Sequence, residues 1–142
     1  MKVPADHIRL LLSPPVSAVR APESQLIPTR SNILTALYDH LRDNRNIRKG
    51  DNLLFYFAGH GSRYAASDVF QDTGEMIETL CPADRGVSVD GAILDISDRE
   101  LSIFLEELRA EKGDHITVVL DCCHSGSALG KQRSEENTDA NE

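Results

Sequence analysis

Residues 53–62 read Leu53-Leu54-Phe55-Tyr56-Phe57-Ala58-Gly59-His60-Gly61-Ser62, and residues 115–126 read His115-Ile116-Thr117-Val118-Val119-Leu120-Asp121-Cys122-Cys123-His124-Ser125-Gly126. Each is a short apolar run that breaks off into a reactive residue beside glycine. Runs of this length, aromatic in one case and β-branched in the other, read as strands buried on both faces. His60 stands three residues past Phe57, and Cys123 stands three past Leu120. If the two strands are parallel neighbours, the imidazole and the thiol open onto one edge of the sheet. A thiol and an imidazole held together make a nucleophile and its proton partner. The glycines on either side of His60 permit a tight turn and a close backbone approach by a substrate.

Outward from these strands, the pattern alternates. Ile33, Leu34, Leu37, Tyr38 and Leu41 fall at helical spacing behind Thr29 or Ser31, either of which can cap a helix. Ser97-Asp98-Arg99-Glu100 has the form of a capping box. The helix it opens is expected to bury Leu101, Phe104, Leu105 and Leu108 and to stop at Gly113. Ile8 to Leu12 reads as a further short buried strand, closed by Pro14 and Pro15. Residues 13–28, with four prolines, read as a surface loop, and residues 62–95 as mostly loop with a short strand near Glu78–Cys81. The order strand, helix, strand, long loop, helix, strand predicts an α/β domain built on a parallel sheet covered on both faces. Ligands in such sheets sit beyond the carboxyl ends of the strands, which is where His60 and Cys123 lie.

The 142 residues suit one domain. Fifteen basic residues against 23 acidic ones leave a net charge of -8, which argues against nucleic acid and anionic membrane as partners and favours a basic substrate. No apolar run approaches the ~20 residues that cross a bilayer. Asp6 and Arg9 interrupt the first apolar stretch, so the start does not read as a signal peptide. The expectation is a soluble, cytoplasmic protein. Cys81, Cys122 and Cys123 cannot all pair, and a reducing compartment suits them. Adjacent Cys122, Cys123 and His124 do not have the spacing of zinc ligands, so no metal or other cofactor is expected from them. Residues 131–142 lack any aliphatic side chain larger than Ala and read as a polar tail or linker.

Tyr-Phe-Ala-Gly-His-Gly-Ser at 56–62, with Leu-Asp-Cys-Cys-His-Ser-Gly at 120–126, resembles the paired histidine and cysteine motifs of the caspase clan. Within that clan, the Asp-x-Cys-His-Ser-Gly form is similar to the metacaspases. The resemblance spans roughly residues 8 to 128. It implies a caspase-like three-layer α/β/α fold with a mainly parallel sheet. Residues 1–130 would form the large-subunit part of a catalytic domain, and residues 131–142 an inter-subunit linker. By the same resemblance, the first strand and the C-terminal small-subunit part are missing.

The implied activity is that of a cysteine endopeptidase with His60 and Cys123 as its dyad. Backbone amides of Gly61 and Cys123 would form the oxyanion hole. Asp121 would line an acidic pocket for Arg or Lys at P1; its simpler reading is a strand-end carboxylate capping backbone amides. Cys122 reads as a small core-facing thiol, His124 as structural, and Cys81 as inert. Calcium enters only as an implied activator. Asp68, Asp72, Glu75, Glu78 and Asp84 form an acidic loop after His60, but their spacing is not that of an EF-hand. Lys131 or Arg133 would be a self-cleavage site by the resemblance, and part of a charged tail by composition. The implied partners are protein substrates with a basic P1 residue and a small-subunit or full-length caspase-like chain. The alternative function is a catalytically incomplete binding or regulatory module that needs such a partner.

Overall fold

The computed structural model describes residues 3–13, 27–66, 76–86 and 91–123. After a turn of 3-10 helix at Ala5–His7, the chain forms helix α1 (Arg30–Thr35), strands β1 (Leu53–Ala58), β2 (Gly61–Ala65), β3 (Met76–Leu80) and β4 (Ile96–Ser97), helix α2 (Asp98–Lys112) and strand β5 (Ile116–Asp121). The α/β class expected from the pattern is the class observed. β1 and β5 pair in parallel, while β2, β3 and β4 form a separate antiparallel sheet. The region between 62 and 95 therefore holds more strand than its Gly, Ser, Asp and Pro content suggested.

Both helices begin where the sequence placed their caps. The Thr29 hydroxyl accepts from the Asn32 amide at 3.2 Å, and the Asp84 carboxylate accepts from the Arg30 amide at 2.8 Å. Asp84, one of the residues considered for calcium, is thus engaged at a helix N-terminus, where a negative charge is favoured. The Ser97 hydroxyl accepts from the Glu100 amide at 3.1 Å. The Glu100 carboxylate receives the Arg30 guanidinium at 2.8 and 3.1 Å, so it ties the start of α2 to the start of α1. From Ala36 to Arg42 the first helix widens into a π-helix, with the Asp43 amide donating to the Tyr38 carbonyl five residues back. Tyr38 packs edge-on against Phe104, at 5.1 Å between ring centroids, under the Arg42 guanidinium. α2 ends at Gly113, whose φ of 94° suits a residue without Cβ.

One core joins these parts. Ile33, Leu37, Leu53, Leu80, Ile96, Leu101, Phe104 and Leu108 form a single buried cluster, so the helices, β1 and the antiparallel sheet share it. Each such side chain contributes roughly 1.5–3 kcal/mol by leaving water. The C-terminal end of α2 is tied down by Lys112, whose buried ammonium donates to the carbonyls of Asn44 and Ile47 at 2.8 and 3.1 Å.

Two expectations are corrected. β1 and β5 are not buried on both faces: Leu53, Phe55 and Phe57 face the core, while Leu54 and Tyr56 remain 62% and 56% exposed. β5 alternates in the same way, because the helices among the described residues cover only one side of the pair. Ile8 to Leu12 is not a strand either. Ile8, Leu10 and Leu12 are exposed and only Leu11 touches the core, since no neighbour among the described residues offers this run a hydrogen-bond ladder. Residues 14–26 of the loop expected at 13–28, the acids Asp68, Asp72 and Glu75, His124, and the tail with Lys131 and Arg133 lie outside the described residues.

Candidate active site

The register of the parallel pair fixes the site. Phe57 lies opposite Leu120, and Ala58 opposite Asp121. His60 and Cys123 therefore stand two residues beyond one and the same rung. The ladder continues one step past the strands, as the Gly59 amide donates to the Asp121 carbonyl at 3.3 Å.

At His60 the chain passes from one sheet to the other. Only Gly59 and His60 separate β1 from β2. The His60 carbonyl accepts from the Cys81 amide at 2.9 Å, which extends the pairing of Gly61 with Leu80 in the antiparallel sheet. Since hydrogen-bonded and non-bonded pairs alternate along such a ladder, Gly61 is a non-bonded pair and its own N–H points away from β3. The backbone is thus held at Gly59 by Asp121 and at His60 by Cys81.

Gly61 then closes the site against the cysteine. A Cβ added there would run into the Cys123 carbonyl oxygen, and would also come within 3.3 Å of the Thr79 carbonyl. The close approach expected at the His60 glycines is therefore made at Gly61 by the backbone of Cys123 itself. His60 and Cys123 are both exposed. Among the described residues no hydrogen bond joins the imidazole to the thiol.

The three cysteines differ in setting. Cys122 is half-buried and packs against the core, and burial with the neighbouring Cys123, Cys81 and acids pushes its thiol up. Cys81 is also half-buried, its sulfur 3.8 Å from Asp95, and burial with that carboxylate likewise pushes it up. Both thiols are held protonated, which makes them poor nucleophiles. Cys123 is the exposed one.

Asp121 ends β5 on the open face of the sheet and accepts a hydrogen bond from the Tyr56 hydroxyl at 3.2 Å. No sequence pattern singled out Tyr56. It stands two residues before Ala58, and that Ala58 lies opposite Asp121 is a relation that only the register reveals. Asp95 was also missed: it gathers the Thr79 hydroxyl at 3.2 Å and Arg85 at 2.8 Å behind Cys81. No group of three or more metal-ligating side chains gathers among the described residues, so no calcium ligands are assigned.

This geometry is accompanied by a family match over residues 11–132 to the metacaspase peptidase C14 domain. The chain belongs to the metacaspase family. It is 36% identical over 115 residues to Metacaspase-5 of Trypanosoma cruzi, covering 80% of this chain and 23% of that protein. Against Metacaspase-9 of Arabidopsis thaliana it is 33% identical over 118 residues, covering 80% of this chain and 31% of that protein. Against Metacaspase-1 of Cryptococcus neoformans it is 36% identical over 105 residues, covering 72% and 21%. The metacaspase chain described here thus spans about a fifth to a third of the length of these relatives. No helix among its described residues is long and apolar enough to cross a membrane.

Proposed function

We propose that this chain carries the nucleophile and base of a cysteine endopeptidase that cuts after Arg or Lys. The observation that supports it best is the shared rung: His60 and Cys123 leave adjacent parallel strands at equal distance, and Gly61 is packed against Cys123. Cys123 attacks the scissile carbonyl as thiolate, having given its proton to His60. The tetrahedral intermediate collapses as His60 protonates the leaving amine, and water then hydrolyses the thioester with His60 as base. The outward N–H of Gly61 and the amide of Cys123 stabilise the oxyanion. Asp121, two residues before the nucleophile, takes the basic P1 side chain. A reducing, cytoplasmic setting keeps the three free thiols available.

The test is hydrolysis of peptides ending in Arg, Lys or Asp by the full chain, with Cys123→Ala as control. A peptidyl-Arg chloromethylketone should label Cys123. Labelling confined to Cys122 refutes the assignment of the nucleophile.

A second reading has its own support in the open face of the β1–β5 pair, with Leu54, Tyr56 and Val119 exposed. Uncovered apolar sheet surface favours association. In this reading the chain is a caspase-like module that acts only beside a small-subunit or full-length partner. Hydrolysis that appears only when a separately expressed small-subunit segment is added separates this reading from the first.

A further inference from the structure

The geometry points to Tyr56 as a specificity-determining residue that holds the Asp121 carboxylate in place and forms the floor of the P1 pocket; this rests on the peptidase reading above. Along the open face, β1 presents Leu54, Tyr56 and Ala58 in turn, and β5 presents Thr117, Val119 and Asp121 beside them. Ala58 is the smallest of these and pairs directly with Asp121. On that side nothing longer than a methyl group stands beside the carboxylate. Tyr56 lies one pleat deeper, with its ring more than half exposed and its hydroxyl on Asp121 Oδ2 at 3.2 Å.

The reach is suited to a long cation. Asp121 stands two residues before Cys123, about 7 Å along an extended chain. That is the span of an extended Arg or Lys side chain measured from its own backbone. A carboxylate alone on a strand end is free to rotate. Donation by a phenol to one oxygen fixes its plane and leaves the other oxygen for a guanidinium or ammonium. The exposed ring beneath adds a face on which a cation is attracted. The upward shift of the Tyr56 phenol is the electrostatic counterpart, since the bond to Asp121 favours the protonated form.

The experiment measures agmatine binding to the full chain by calorimetry, alongside KM and kcat for matched peptides ending in Arg or in neutral citrulline. Wild type, Tyr56→Phe and Asp121→Asn are compared, with circular dichroism to show that each variant is folded. Tyr56→Phe should weaken agmatine about fivefold and raise KM for the Arg peptide by a similar factor, with less effect on kcat. Asp121→Asn should remove agmatine binding and the preference for Arg over citrulline. A Tyr56→Phe variant that binds agmatine as tightly as wild type overturns the proposal, as does a wild type that does not bind it. Agmatine binding that responds to both substitutions in a chain that cleaves neither peptide supports the pocket and sinks the peptidase reading alone.

Discussion

Gly61→Ala is the perturbation that the structure constrains most tightly. The residue sits where β2 begins, and its Cα faces the carbonyl of Cys123 with no room for a methyl group. The atoms in the way are backbone, which cannot swing aside as a side chain would. Restoring normal separation requires the end of β5 or the start of β2 to retreat by roughly 1 Å, which takes Cys123 away from His60. Two costs follow. Overpacking at a tight site destabilises by about 1–3 kcal/mol, visible as a lower urea midpoint with an unchanged slope. On the proposed peptidase function, displacement of Cys123 by about an ångström should lower kcat/KM on the order of 100-fold. The assay pairs urea unfolding with hydrolysis of a peptidyl-Arg substrate, and uses the rate of Cys123 alkylation as a second readout of site geometry. Gly61→Ser should behave alike, because the obstruction is the Cβ itself. If Gly61→Ala unfolds at the wild-type midpoint and keeps wild-type reactivity at Cys123, the contact between β2 and the cysteine loop does not organise the site.

Other outcomes follow from the same contacts. With limiting iodoacetamide near neutral pH, Cys123 should be carbamidomethylated first, as read by peptide mapping. Cys81 and Cys122, pushed up by burial, should react only as the solution becomes alkaline; earlier labelling of Cys122 contradicts its half-buried setting. Lys112→Met should cost about 1–3 kcal/mol in urea unfolding, because it leaves the Asn44 and Ile47 carbonyls without their donor. Ser97→Ala should cost about 1 kcal/mol by removing the cap of α2. The Tyr56 phenol, whose protonated form is favoured by Asp121, should titrate above the ordinary value of 10.0, and Asp121→Asn should bring it down. Its hydrogen bond is therefore intact below the unfolded tyrosine value and is lost as pH rises through the raised folded one. Alkaline titration of phenolate absorbance checks this.

What was legible in the sequence was local. Thr29, Ser97 and Gly113 mark helix ends because capping is a matter of a few consecutive residues, and Leu101, Phe104 and Leu108 mark a helix face because the period is short. Ile8 to Leu12 has the composition of a strand and fails to be one among the described residues, since a strand exists only through a neighbour's ladder, which composition does not encode. For the same reason LLFYF could not reveal whether one face or two would be covered: the answer lies in elements far along the chain. β2, β3 and β4 were largely hidden because their pairing is antiparallel between segments separated by loop-like composition.

His60 and Cys123 stood between these cases. Each motif is local, but placing both at one sheet edge required a long-range pairing, and the register supplies it without offset. Tyr56 and Asp95 were invisible for the complementary reason: their roles are defined by partners 65 and 16 residues away, Asp121 for the first and Thr79 for the second. The chain leaves β1 at Ala58, has two residues in which to enter β2, and has its next residue pressed on Cys123. His60 consequently has almost no freedom in where its backbone lies. A loop of six or eight residues carrying the same histidine would have let it reach many places at an entropic cost on ordering. The short crossing makes that cost part of folding, so that the histidine backbone is fixed at the sheet edge by the fold itself.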